Sequence, residues 1–232
     1  ALYNPGAKPW GTFSNIWFDY IRRLAVEVEE RWPTLRIGVL AYYRHYGVPT
    51  FEIPDNVDVM LALMRSSMQN KQSDVFDRNL AHVRDWSDYL GNDPARLYLW
   101  EYWVWPGILI TPPTIAPYAM QDWLQEVHPY VSGVFINGGG HPLPFQYMMY
   151  RLWLRLLWDP DLDVEAEIKD ICEHFYGPAG DSMTAFYRRL IERYEMEWDN
   201  AELLWDQFYV HPELYYGQSY PKIQIEYLAS LL

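Results

Sequence analysis

The sequence predicts an α/β fold in which four parallel β-strands alternate with α-helices, followed by a region that is entirely helical. Short apolar segments bounded by turn residues alternate with amphipathic segments over the first two thirds of the chain, which is the pattern of a parallel sheet. Beyond Trp158 only helical periodicity continues. Since a (β/α)8 barrel needs eight strands, we expect half of such a TIM-type barrel over residues 1–158 and a helical C-terminal appendage over residues 159–232.

The amino-terminal part of the chain predicts one helix and two strands. Ser14 is placed to cap a helix that runs to about Arg31. The spacing of apolar residues predicts an inward helix face made of Trp17, Ile21, Leu24 and Val28. The apolar segments 35–42 and 57–64 predict the first two strands, with a loop between them.

The middle of the chain predicts two more strands, each preceded by a helix. A helix opens at Ser73 or Asp74 and ends at Gly91, and its inward face is Phe76, Leu80, Val83 and Leu90. The third strand is predicted over Arg96–Trp105 and the fourth over Val131–Asn137. The helix between them has an apolar face made of Met120, Trp123, Leu124 and Val127, and another helix is predicted over residues 145–158.

The helical appendage begins after a turn. Asp163 is predicted to cap a helix whose inward residues are Val164, Ile168, Ile171 and Phe175. Asp181 or Ser182 opens a longer helix, and a last short helix is predicted over about residues 223–231.

The third predicted strand contains one carboxylate, Glu101, among apolar and aromatic residues. A charge in a buried strand is costly unless it is paired or used. In a parallel barrel, a polar residue near the carboxyl end of a strand faces the mouth where ligands bind, which makes Glu101 a candidate catalytic residue. The alternative is a structural ion pair with a residue such as Arg65.

Polar and aromatic residues also follow the other predicted strand ends. In a barrel they would converge on one mouth, and carboxylates, amides, cations and flat rings together suit a polyhydroxylated ligand. The candidate substrate-binding residues are Tyr42, Tyr43, Arg44 and His45 after the first strand, Arg65 after the second, Tyr102 and Trp105 in the third, and Asn137 and His141 after the fourth.

Composition argues against several classes of function. The formal net charge of −13 does not suit a nucleic-acid partner, and no apolar run reaches the roughly 18 residues of a membrane span. The single cysteine, Cys172, leaves no intrachain disulfide and is expected to be buried, and the histidines lack metal-site spacing. We therefore expect neither a metal site nor a cofactor. The aromatic share of 18% suits either rings that stack on sugars or an aromatic core.

Six short segments between about residues 15 and 195 match one family in order. They are Leu40-Ala41-Tyr42, Asn56-Val57-Asp58-Val59, Leu97-Tyr98-Leu99-Trp100-Glu101-Tyr102, Gly133-Val134-Phe135, Leu156-Leu157-Trp158-Asp159-Pro160-Asp161-Leu162-Asp163 and Phe175-Tyr176-Gly177. In these segments the chain resembles an uncharacterised bacterial family whose members carry a domain of unknown function. Its glycoside-hydrolase-like barrel is similar to those of β-hexosaminidases and α-glucuronidases.

The resemblance implies that the chain holds the second half of a (β/α)8 barrel, takes part in polysaccharide breakdown, and is secreted or periplasmic. Three departures bear on catalysis. The acid after the tryptophan is usually Asp in the family and is Glu101 here, and Ile136-Asn137 stands where members tend to have Glu-Gln. The Asn-Asp-Gly motif of the family, in the region that supplies the acid in related hexosaminidases, is absent. The fragment alone is therefore expected to lack part of the catalytic apparatus.

Together these observations predict a carbohydrate-active protein, part of a glycoside hydrolase that acts on a polysaccharide or oligosaccharide. Glycoside hydrolysis usually takes two carboxyl groups, and only Glu101 can be placed here. The second would come from a missing N-terminal half of the barrel or from a second chain, and the loop-like opening of the sequence suggests a piece of a longer protein. The alternative function is a non-catalytic carbohydrate-binding or scaffold protein.

Overall fold

A computed structural model describes residues 12–63, 71, 74–103, 115–137, 143–195 and 215–232. The elements follow one another along the chain as helices and four parallel strands. They are α1 (Ser14–Arg31), β1 (Ile37–Ala41), β2 (Val57–Ala62), α2 (Asp74–Tyr89), β3 (Leu97–Glu101), α3 (Pro117–Val127), β4 (Gly133–Ile136), α4 (Leu143–Trp158), α5 (Val164–Tyr176), α6 (Gly180–Glu195) and α7 (Lys222–Ser230). The predicted α/β class with four parallel strands in one sheet is confirmed.

The four strands form a single sheet in the order β1-β2-β3-β4. Ala41 pairs with Leu61, and Leu61 pairs with Leu99, so the first three strands run in parallel with matched ends. Strand order follows chain order without a reversal, whereas doubly wound sheets reverse their order at a switch point. The described part of the sheet is therefore wound in one direction only.

The chain divides into two compact units, and the first contains almost the whole sheet. Its core is built from buried side chains of β1, β2 and β3 together with Phe18 and Ala25 of α1 and Trp86 of α2. The rings of Phe18 and Trp86 lie 5.2 Å apart, and the Trp86 indole donates a hydrogen bond to the Tyr46 carbonyl at 2.8 Å. Helices α1 and α2 are thus fixed to each other and to the loop after β1.

The start of the sheet is held by a buried arginine. Arg96, which precedes β3, donates hydrogen bonds to the Pro54 carbonyl at 2.9 Å and to the Asp55 carboxylate at 2.8 Å. Asn56 donates to the Ala25 carbonyl of α1 at 2.9 Å. The bond to Pro54 satisfies a backbone carbonyl just ahead of β2, and the bond from Asn56 joins the same segment to α1.

The second unit contains the helices α4 to α7 and most of α3. Asp163 accepts a hydrogen bond from the Ala166 amide at 3.0 Å, which confirms the predicted cap of α5. The Tyr176 and Tyr187 hydroxyls join α5 to α6 at 2.9 Å, and Cys172 is buried as expected.

Several sequence-based boundaries and helix faces were wrong. The third strand spans five residues rather than the ten of Arg96–Trp105 and ends at Glu101. The helix predicted to be capped by Ser14 begins at that residue and has no side-chain cap. On α1 the buried apolar residues are Phe18, Ile21 and Ala25, whereas Leu24 is exposed, and Phe175 on α5 is exposed as well.

Candidate functional site

Because the strands are parallel, their carboxyl ends lie at one edge of the sheet. In the first unit this edge is formed by residues 42–45 after β1 and by Glu101, the last residue of β3. We call this region the carboxyl edge. Neighbouring strands lie about 4.8 Å apart, and β2 separates β1 from β3. Side chains following β1 and β3 are therefore roughly 10 Å apart at their backbones.

Glu101 is fully buried, with no exposed surface. Burial alternates along β3, where Leu97, Leu99 and Glu101 are buried and the residues between them are half-buried. Because successive side chains of a strand point to opposite faces, the Glu101 carboxylate lies on the same face of the sheet as Leu97 and Leu99. This is the face that carries the apolar core.

The opposite face of the sheet is less covered and partly aromatic. Leu40, Met60 and Trp100 are half-buried, and Phe135 of β4 is 44% exposed. The rings of Trp100 and Phe135 lie 4.3 Å apart at a 46° tilt, and the Trp100 indole nitrogen has no hydrogen-bond partner. We refer to this side as the open face.

A glycine brings an aromatic ring of the open face close to its neighbouring strand. A Cβ atom placed on Gly133 would lie 3.4 Å from Cδ1 of Tyr98, so the absence of a side chain on β4 lets the Tyr98 ring lie against the strand. Tyr98 and Trp100 are alternate residues of β3 and therefore share this face.

Two tyrosines follow β1 at the carboxyl edge in different backbone conformations. Tyr42 is extended, whereas Tyr43 has φ of 52°, in the left-handed region that non-glycine residues seldom adopt. Their rings lie 6.1 Å apart, and Tyr43 is 47% exposed. Left-handed residues of this kind persist where the surrounding structure enforces them, often at binding sites.

The next two residues attach this loop to α1. The guanidinium carbon of Arg44 lies 5.7 Å from the centre of the Phe13 ring, and the Phe13 amide donates to the Arg44 carbonyl at 2.8 Å. The His45 ring packs on Trp17 at 5.0 Å. Burial lowers the pKa of His45, although a hydrogen bond with the Leu40 backbone opposes that shift, so the ring is neutral at neutral pH.

The remaining predicted site residues belong to the second unit or lie outside the described residues. Tyr102 and Asn137 directly follow β3 and β4, are half-buried, and belong to the second unit. Arg65, Trp105 and His141 lie outside the described residues, and so does the alternative ion pair between Glu101 and Arg65. Tyr42, Tyr43, Arg44, His45 and Glu101 are the predicted site residues that occupy the carboxyl edge of the first unit.

The second unit has a cleft of about 490 Å³ that the sequence analysis missed. Its lining is Tyr118, Glu165, Arg188, Ile191, Glu192 and Glu195. Here Glu195 of α6 accepts hydrogen bonds from the Tyr118 amide at 3.0 Å and the Ala119 amide at 3.3 Å, and thereby caps α3. The sequence contained one indication of this contact. The first turn of α3 has no acidic residue, so its free amides needed an acceptor from another part of the chain.

The two carboxylates Glu195 and Glu165 of this cleft have different surroundings. Burial raises the pKa of Glu195 to about 7, although hydrogen bonds from the Ala119 and Tyr118 amides oppose the shift. The neighbouring Glu165 accepts a hydrogen bond from the Tyr118 hydroxyl at 2.8 Å and pairs with Arg188. The cleft therefore ties α3, α5 and α6 together through one tyrosine.

The described residues form neither a metal site nor a membrane-spanning helix. Within the described ranges, no group of three or more His, Cys, Asp or Glu side chains could hold a metal ion. No helix in the part of the chain that the structure describes is both long and apolar enough to cross a membrane.

Comparison with known proteins identifies a family. No curated protein and no solved structure matches this chain. A family model described as a domain of unknown function, DUF4838, matches residues 6–188, which include all four strands and most of the helices. The chain therefore belongs to the DUF4838 family, as the six ordered segments of its sequence predicted.

Proposed function

We propose that this chain is part of a carbohydrate-active protein and that its four strands form the second half of a (β/α)8 barrel. The one-directional strand order supports this, because it is the order of a barrel rather than of a doubly wound sheet. The open face, with its half-buried apolar side chains, then corresponds to the interior of the closed barrel. The missing N-terminal half, or a second chain, would supply the other four strands.

The observation that carries the sugar proposal is the pair formed by Trp100 and Phe135 on the open face. Flat rings pack against the C–H faces of pyranoses, and aromatic side chains contribute large contact areas with directional preference. Next to them, the carboxyl edge offers the hydroxyl of Tyr42, the cation of Arg44 and the ring of His45. Binding sites of barrel proteins lie at this edge.

We further propose that the protein is secreted or periplasmic, which agrees with a polysaccharide substrate.

Two functional classes remain for this site. Hydrolysis would use Glu101 as one of two carboxyl groups, the other coming from outside the described residues. A non-catalytic carbohydrate-binding or scaffold role is favoured by a specific observation: the Glu101 side chain shares the face of Leu97 and Leu99 and is fully buried. Glycoside hydrolase remains our first proposal. The effect of substituting Glu101 distinguishes hydrolysis from the non-catalytic role.

Binding is tested by titrating the chain with neutral oligosaccharides of glucose, xylose and N-acetylglucosamine in a calorimeter. We expect Trp100→Ala to weaken binding of the preferred sugar roughly five- to tenfold, since losing an aromatic contact costs about 1–1.4 kcal/mol. Trp32→Ala is the matched control. Trp32 is an exposed tryptophan that directly follows the last residue of α1 and is not part of the open face. Equal affinities of the wild type and Trp100→Ala would remove the open face from the site.

Catalysis is tested with Glu101→Gln in the full-length protein, which keeps the shape of the side chain and removes its charge. If Glu101 is catalytic or orients the sugar, turnover of the preferred oligosaccharide falls at least tenfold or its affinity drops. Unchanged turnover together with unchanged affinity would exclude Glu101 from the site and leave the binding role.

A further inference from the structure

Helix α4 carries apolar side chains on two opposite faces. The face toward the core is buried and includes Met148, Leu152 and Leu156. Tyr147, Leu154 and Trp158 recur at helical spacing on the opposite face, where they are 45%, 60% and 92% exposed. A surface helix ordinarily keeps its outward face polar, so this second apolar face calls for a binding partner.

Trp158 stands on a firmly held turn. It ends α4 and is more exposed than any other large apolar side chain that the structure describes. Two glutamines of α3 hold the turn that follows, since Gln121 donates to the Pro160 carbonyl at 3.0 Å and Gln125 donates to the Asp161 carboxylate at 3.0 Å. The indole is therefore presented to solvent from a fixed position, which lowers the entropy cost of binding to it.

A second group of rings lies at the other end of this face. Tyr147 packs on Phe175 of α5, with ring centres 5.2 Å apart and a tilt of 31°. Tyr176 contacts the Phe175 ring at 5.0 Å and shares a hydroxyl hydrogen bond of 2.9 Å with the buried Tyr187. These rings are thus anchored to the core, and Tyr147 lies about three helical turns, or roughly 16 Å, from Trp158. We call the outward side of α4 together with Phe175 the aromatic face.

The charges beside the aromatic face compensate one another. Arg151 pairs with Glu167 at 3.1 Å and with Asp170 at 3.7 Å, and Arg155 pairs with Glu167 at 3.5 Å. Cations that already have carboxylate partners attract ions weakly, but their remaining N–H groups can still donate hydrogen bonds to hydroxyl groups. Rings next to such compensated polar groups suit a neutral, polyhydroxylated ligand.

The shape of the aromatic face favours a chain-like ligand over a globular one. Its rings form two groups along one helix, with Arg151 and its partners between them. A stable contact with a second protein takes a broad patch of roughly 800 Å² on each partner. An extended polysaccharide, in contrast, can contact separate rings one after another.

We propose that the aromatic face binds a neutral polysaccharide chain, with Trp158 at one end and the pair of Tyr147 and Phe175 at the other each stacking against a sugar ring. Arg151 and Asp161 provide hydrogen bonds to hydroxyl groups of the chain. None of these residues belongs to the carboxyl edge or to the open face, so this is a second sugar site. The choice of a polysaccharide as the ligand rests on the proposed function.

The experiment is affinity electrophoresis of the 232-residue chain in native gels that contain hydroxyethylcellulose, arabinoxylan or glycol chitin. Retardation at increasing polymer concentration gives the dissociation constant. We expect at least one polymer to retard the chain, and Trp158→Ala and Phe175→Ala each to raise its dissociation constant roughly five- to tenfold.

Trp32→Ala is the control, because it removes another exposed tryptophan that lies outside the aromatic face, and it leaves the dissociation constant unchanged. None of these substitutions alters the net charge, so all variants migrate equally in gels without polymer. Unequal migration there identifies a variant with an altered fold, and Trp158→Phe, which keeps a ring at that position, then retains more binding than Trp158→Ala.

The outcomes separate this inference from the proposed function. Retardation that is the same for the wild type, Trp158→Ala and Phe175→Ala overturns the aromatic face while the carbohydrate function stands. Polymer binding that depends on Trp158 and is unchanged by Trp100→Ala supports the aromatic face, even where the open face binds no oligosaccharide. A dimer in light scattering that Trp158→Ala dissociates assigns the face to a second copy of the chain and overturns the polysaccharide site. Retardation by none of the polymers overturns it as well.

Discussion

At the scale of single residues, Glu195 shows how position sets the protonation of one carboxyl. Burial disfavours its charged form, while the amides of Ala119 and Tyr118 at the start of α3 favour it. Burial is the larger effect, and the pKa rises from 4.5 to about 7. The native state thus holds a proton on Glu195 over a range in which the unfolded chain has released it.

The sign of the resulting pH dependence follows from linkage. Between about pH 4.5 and 7 the native state binds more protons than the unfolded state, so the contribution of Glu195 to the free energy of unfolding decreases as the pH rises. Glu195→Gln keeps an acceptor for both amides and removes the charge. We expect the stability of Glu195→Gln relative to the wild type to increase as the pH rises from about 4.5 to 7, by at most roughly 3 kcal/mol.

Urea unfolding at pH 5, 6, 7 and 8 measures this gain. Glu192→Gln is the control, since it removes the same charge from the exposed side of α6. A difference between Glu195→Gln and the wild type that is the same at every pH would show that Glu195 does not titrate in this range.

Residue identity was easier to predict than side-chain direction. Glu101 could be selected from the sequence because it is a carboxylate in an otherwise apolar and aromatic segment. The face of the strand to which Glu101 points could not be predicted. Every residue from Leu97 to Trp100 is apolar or aromatic, so the sequence shows no alternation of polar and apolar residues that would distinguish the two faces. The expected ten-residue strand ends after five, at Glu101 itself.

At the scale of elements, the contact between α5 and α6 depends on a glycine. A Cβ atom on Gly180 would lie 2.9 Å from the Cα of Glu173 and 3.2 Å from its amide nitrogen. Backbone atoms cannot move aside as a flexible side chain would. The first turn of α6 therefore packs on α5 only because position 180 lacks a side chain.

Gly180→Ala should therefore destabilise the second unit despite the better helix propensity of alanine. We expect a loss of about 1–3 kcal/mol, the usual cost of overpacking a tight contact. Gly217→Ala is the matched control in the same unit, because a Cβ there meets no atom within 4 Å. Thermal unfolding monitored by circular dichroism gives both values, and equal stability of the two variants would contradict the close contact.

Helix existence was predictable from periodicity, whereas the inward face was predictable only where a single apolar stripe exists. On α2, Phe76, Leu80 and Val83 were expected to face inward and are buried. Helix α1 carries two stripes, one with Leu24 and one with Phe18 and Ala25. The spacing of apolar residues alone fits either stripe. In the structure the stripe with Phe18 and Ala25 is buried, and Leu24 is 40% exposed.

At the scale of the whole molecule, the chain holds two compact units that are interleaved along the sequence. Strand order and parallel direction were predictable because helices separate the second, third and fourth apolar segments, although only a loop separates the first two. The cap of α3 by Glu195 was not, because the two elements are far apart in sequence and only tertiary structure brings them together. Each unit has its own set of buried side chains.

Two separate cores predict two separate unfolding transitions. Leu61→Ala removes a fully buried side chain from the central strand β2, which should lower the stability of the first unit by about 2–5 kcal/mol. Gly180→Ala acts on the second unit. In differential scanning calorimetry we expect each variant to shift one transition and leave the other in place. A single transition that moves with both substitutions would show that the two units unfold as one cooperative structure, since shared cores transmit every loss of packing to the whole.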